Sequence, residues 1–169
     1  MDNCLIKKVT IVIDSFGRKP NGLIVAIRAS ATSFKLNSEQ ITTQHFYETL
    51  NAEEAVQETR FDKDNETLRW WRDFKTEEYE ALYSAMEKST LNTEGLLTRF
   101  FTWLKPFCDQ RYALCFGAEA HQFDYTVLRN ACHVVGQAFP GSEKVVPLFK
   151  KITIPQWALS HEWHTLKTR

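Results

Sequence analysis

The first residue able to do chemistry is a lone acid. Val9, Ile11, Val12 and Ile13 form a short apolar run that stops at Asp14. A carboxylate at the end of a buried strand is costly unless it is paired or binds a cation. Asp14 is therefore either a cation ligand or a loop cap bonding its own backbone. A second cluster, His161-Glu162-Trp163-His164, places two histidines three apart. That spacing can share a metal on a helix, but it is not the His-Glu-x-x-His pattern of a zinc enzyme, and a surface or interface pair fits it better. Cys4, Cys108, Cys115 and Cys132 are widely spaced and form no Cys-x-x-Cys pair. They read as free thiols of a reducing, cytoplasmic compartment.

These groups need a scaffold. Gly17, Pro20 and Gly22 lie between the run that ends at Asp14 and a second apolar run over residues 23–31, which predicts two paired strands. Residues 44–50 alternate well enough for a third strand, which makes a meander. Helices are expected over residues 51–58, from the Asp64/Asn65 cap through Trp70 and Trp71, and from Thr76 with Tyr79, Leu82, Tyr83 and Met86 along one side. A further helix is capped by Thr93 and ends at Pro106. Then come a short strand over residues 112–116 and a helix over residues 121–135 with Phe123, Val127, Leu128, Ala131 and Val134 inward. A last strand over residues 145–154 and a short helix over residues 156–169 follow.

The bulk composition narrows the function classes. With 169 residues, 43% apolar and 13% aromatic, the chain suits one α/β domain with a substantial core over residues 1–169. Lysine plus arginine balance aspartate plus glutamate at 21 each, so the basic excess of an avid, non-specific nucleic-acid binder is missing. No stretch approaches a membrane span, and the first residues carry no signal-peptide apolar core.

In order and spacing, these pieces resemble the short DEDD (DnaQ-like) 3′–5′ exonucleases. The resemblance rests on Ile13-Asp14-Ser15-Phe16-Gly17, Lys19-Pro20-Asn21-Gly22 and the Ile24-Val25-Ala26-Ile27 strand. It continues through Phe46-Tyr47, the segment from Asp64 to Trp71, and Phe116-Gly117 leading to Phe123-Asp124 and Leu128-Arg129. It implies a ribonuclease H-like fold: a mixed five-stranded sheet, three strands in a meander plus parallel strands, flanked by helices. The family holds two divalent metals between four carboxylates and uses a histidine as general base. Asp14 matches the first acid and Asp124 the third, which puts both in one cleft at the ends of adjacent parallel strands. Phe16 stands where the second acid belongs. His161 is a vestigial match to the base, but Thr165 and Leu166 occupy the places where the fourth acid should follow it. Glu119 and Glu162 are the acids within reach of a rearranged site. Phe16, Trp70 and Gln122 would line the binding cleft, with Arg18, Lys19, Lys150 and Lys151 at its edge.

The resemblance therefore implies a catalytically degenerate exonuclease-like protein with a shortened C-terminal helix. It would hold Mg²⁺ or Mn²⁺ weakly or not at all, and bind single-stranded nucleic acid or a protein. Small phage and mobile-element proteins reuse enzyme folds in this way to inhibit a host system. The alternatives are an active metal-dependent 3′–5′ exonuclease with a rearranged site, and an unrelated α/β interaction protein.

Overall fold

A computed structural model describes residues 5–35, 40–116 and 121–139, with backbone alone at residues 121 and 122. Three long strands open the chain: β1 (Leu5–Ser15), β2 (Ile24–Lys35) and β3 (Ile41–Thr49). They pair antiparallel in sequence order, as the meander predicts. Four helices follow: α1 (Ala52–Gln57), α2 (Asn65–Phe74), α3 (Thr76–Lys88) and α4 (Thr93–Asp109). The short β4 (Ala113–Phe116) then lies parallel to β1, and α5 (His121–Val135) leads away from it. The sheet order is β3-β2-β1-β4, so the described residues form a mixed four-stranded sheet rather than the five strands expected. Residues 145–154 and 156–169, assigned above to a fifth strand and a final helix, lie outside the described residues.

The two faces of the sheet differ in chemistry because side chains alternate along each strand. On one face, Val9, Ile11 and Ile13 lie opposite Ala31, Ala29 and Ile27 of β2. Phe46 of β3 continues this face beside Ala29, with its ring 5.4 Å from Phe100 and 5.5 Å from Trp103 of α4. Leu96, Leu97, Phe100 and Leu104 of α4 and Val127, Leu128 and Ala131 of α5 complete the core. Each such side chain taken out of water contributes about 1.5–3 kcal/mol. The other face carries Lys8, Thr10, Val12 and Asp14, paired with Thr32, Ser30, Arg28 and Ala26. Lys8, Asp14, Ser30 and Thr32 are nonetheless buried, so this face is polar and largely shielded from solvent.

The β1–β2 turn is stitched to the segment entering α2. Leu23 N–H donates to the Asp62 carbonyl, and Asp62 N–H to the Asn21 carbonyl, both at 2.9 Å. Asp64 N–H donates to the Phe16 carbonyl at 2.9 Å. A Cβ on Gly17 would stand 2.5 Å from the Asp62 carbonyl oxygen, so only glycine allows this approach. The Asp64 side chain then caps α2 by accepting from the N–H groups of Glu66 and Thr67.

Three local expectations are corrected. Asn92, not Thr93, caps α4. The helix continues through Pro106 to Asp109, because Phe107 and Cys108 beyond it are buried in the core and hold the last turn in place. Val134 is exposed, and the inner side of α5 runs through Cys132 to Val135 instead. No disulfide joins Cys108, Cys115 and Cys132 to one another.

Candidate functional site

Asp14 lies near the end of β1, and Asp124 reaches the backbone of the same strand one residue earlier. Asp14 is the last regular position of β1, since the pairing with β2 shifts register between Asp14 and Ser15. The pairing of β4 with β1 ends earlier, at Ile11 opposite Phe116. Beyond that point, Ile13 N–H donates to Asp124 Oδ2 from α5 at 3.2 Å. The first turn of α5 thus delivers its carboxylate to the backbone immediately before Asp14. Both acids are buried.

A cation from the protein itself faces Asp14. Arg28 Nη2 donates to both carboxylate oxygens of Asp14, each at 2.9 Å. The Arg28 side chain is 34% exposed and that of Asp14 11%. Burial pushes the Asp14 carboxyl above its ordinary range, against the opposing pull of the Arg28 charge and hydrogen bond. Tyr47, opposite Arg28 on β3, has its hydroxyl pKa raised by burial and then by the Asp14 charge. Only one guanidinium nitrogen serves Asp14. Arg28 Nε is buried without a partner, and so is Ser30 Oγ two residues along the same face.

The described residues do not fit a pair of divalent cations. Asp14 already faces a guanidinium, and Asp124 accepts from the Ile13 N–H. At a separation of about 4 Å and an effective dielectric near 20, each added positive charge there is opposed by about 4 kcal/mol. Among the described residues no group of three or more His, Cys, Asp or Glu comes together.

The other sequence candidates fall in different places. Phe16 is buried. The register shift after Asp14 turns its side chain into the core, where it is 6% exposed and its ring lies 6.5 Å from that of Tyr79. Trp70 is 46% exposed on α2, whereas Trp71 packs against the core and meets Trp70 edge-on at 5.6 Å. Gln122 lies in the first turn of α5, where its side chain is not described, and Glu119, Lys150, Lys151, His161 and Glu162 lie outside the described residues. Arg18 pairs with Asp64 at 3.1 Å and Glu66 at 2.7 Å, and Lys19 with Asp62 at 3.8 Å, so both brace the start of α2.

Sequence reasoning missed Arg28 and Phe74. Arg28 had a signal: it is the one charge within the apolar run of β2, and a buried charge demands a counter-charge. Phe74 follows Trp70 by four residues, hence on the same side of α2, and is 76% exposed. Exposed Arg69 and Arg72 flank them on the same helix.

A mixed sheet ordered β3-β2-β1-β4 and flanked by helices, with an acid at the end of β1 and another brought to β1 by the helix after β4, defines an α/β domain. The chain matches the 3′–5′ exoribonuclease Rv2179c-like domain over residues 7–164, and it belongs to that family. No curated protein matches it.

Proposed function

We propose that this protein is a degenerate member of its exoribonuclease family, with a ribonuclease H-like fold, that binds single-stranded RNA without efficiently cleaving it. The observation that carries this reading is the contact of Arg28 Nη2 with both oxygens of Asp14. A guanidinium there neutralises the acid that the family resemblance assigns to metal binding, and Phe16 replaces the next acid with a core side chain. The antiparallel meander with a parallel β4 beside β1 supports the ribonuclease H-like assignment.

Binding would rest on α2. Trp70 and Phe74 offer exposed aromatic faces on which bases can stack, and Arg69 and Arg72 offer charge to phosphates. With zero net charge overall, stacking carries more of the affinity than counterion release does. The family acts on RNA, which favours RNA over DNA as the ligand.

A second reading, an active metal-dependent exonuclease with a rearranged site, is favoured by one observation. The family match extends to residue 164, past His161 and Glu162, and Asp124 accepts from the Ile13 N–H next to Asp14. An exonuclease time course on 5′-labelled single-stranded RNA and DNA, in Mg²⁺ and then Mn²⁺, separates the two readings. The blank is the Asp14→Asn, Asp124→Asn double variant. We expect retention of intact RNA together with a rise in fluorescence anisotropy on binding. Degradation that the double variant abolishes establishes the second reading, and neither binding nor degradation of RNA overturns both.

A further inference from the structure

Among the described residues, the outer edge of β3 is long and pairs with no further strand. Its pairing with β2 runs through nine consecutive residue pairs, Ala26 with Thr49 to Phe34 with Ile41, without a register shift. Edge strands normally carry a lysine, a proline or a bulge that stops another strand from adding. The sequence Ile-Thr-Thr-Gln-His-Phe-Tyr-Glu-Thr has none of these, and residues 41–45 are exposed whichever face they point to. Its one acid, Glu48, is already paired with Arg99 of α4 at 2.9 Å.

The edge is also self-complementary. Ile41 (44% exposed) and Tyr47 (49% exposed) are large apolar side chains on the same sheet face, each three residues from Gln44. We infer that β3 pairs antiparallel with β3 of a second copy of this chain, about a two-fold axis at Gln44. In that register Ile41 lies opposite Tyr47 of the other copy, twice by symmetry. Thr43 then lies opposite His45 and Thr42 opposite Phe46, so no like charges face each other. Moving the axis to His45 sets Ile41 against the buried Thr49 and leaves Tyr47 opposite a threonine, which wastes both apolar groups. Because α4 packs over β2 and β3, two copies of it come about 10 Å apart across the new junction, an ordinary helix-packing distance. Zero net charge on the chain removes long-range repulsion between the copies.

Sedimentation of the full chain at micromolar concentrations tests this inference. The expected result is a species of twice the chain mass that Gln44→Lys shifts to monomer by at least tenfold in dissociation constant, because two ammonium groups then face each other across the axis. Gln44→Cys, under mild oxidation, should give a covalent dimer that the wild-type chain does not form. Circular dichroism of both variants confirms that the exposed substitutions leave the fold intact. A monomer at all concentrations overturns the inference. So does a dimer that is insensitive to Gln44→Lys and yields no Gln44→Cys cross-link.

Discussion

Arg28 Nη2 stands 2.9 Å from each carboxylate oxygen of Asp14, across the β1–β2 pairing and at the end of the sheet where Asp124 arrives. An acid that could serve a metal is held by a fixed internal cation instead. Arg28→Met leaves Asp14 buried with its counter-charge removed. Because the guanidinium is a third exposed, the loss should be about 1–3 kcal/mol, below the 3–5 kcal/mol typical of a fully buried pair. Urea unfolding of the two chains checks it.

The same residue predicts a pH dependence. The folded-state pKa of Asp14 is raised above its ordinary value of 3.8, chiefly by burial. Its protonated form is thus the favoured one in the fold. Its contribution is fully present below the unfolded pKa and is lost as pH rises through the folded value. Asp14→Asn should therefore gain stability relative to wild type as pH climbs from below 3.8 towards neutrality. A flat difference across that range excludes burial as the dominant influence on Asp14.

A second acid moves in the opposite direction. Hydrogen bonding to Arg60 lowers Glu58 from 4.5 to about 2. Arg60 also reaches Glu94 at 2.6 Å, and Thr93 Oγ1 donates to Glu58 at 3.2 Å, so this cluster ties the end of α1 to the start of α4. Its stabilisation is present above the unfolded value of 4.5 and fades as pH falls towards about 2. Glu58→Gln should flatten the acid limb of the stability curve in that window and leave the neutral region little changed in slope.

Asp124 has a structural duty whether or not it has a chemical one. Asp124→Leu removes the acceptor of the Ile13 N–H in a buried setting, at a cost of about 1–3 kcal/mol. Asp124→Asn keeps a carbonyl oxygen there and should cost less. Amide hydrogen exchange at Ile13 distinguishes the two variants directly, with faster exchange expected only for Asp124→Leu.

The aromatic side of α2 should behave as a binding surface and not as a core. Phe74→Ala should change stability by no more than about 0.5 kcal/mol, since the side chain is 76% exposed. A stacked base is worth about 1–3 kcal/mol, so Trp70→Ala or Phe74→Ala should weaken single-stranded RNA binding roughly five- to hundredfold. Anisotropy titrations measure this loss.

Much of the frame was legible because it rests on local signals. Gly17, Pro20 and Gly22 announce the β1–β2 turn, Asp64 announces α2, and the spacing of Phe123, Val127, Leu128 and Ala131 gives α5. The contact of Asp124 with the Ile13 N–H is a tertiary fact that order along the chain suggests without fixing. Phe16 was placed by its match to the family's second acid, and nothing in Ser15-Phe16 alone signals the register shift after Asp14 or the burial of the ring. The Arg28 contact was unreadable in detail because a charge in an apolar strand requires a partner without naming it. Pro106 looked like a stop because a missing N–H is a local defect, while the burial of Phe107 and Cys108 that outweighs it is a tertiary fact.

The pairing of Lys8 with Ala113 has a kinetic meaning. The meander closes over short stretches of chain, but β4 reaches β1 only after a connection of roughly a hundred residues has been drawn in, the slowest kind of closure for a small domain. Chain order alone makes the Asp14–Arg28 contact the far shorter closure, across 14 residues, and the Ile13–Asp124 contact the longer one, across 111. During synthesis the partners of the first contact are both made long before Asp124 is.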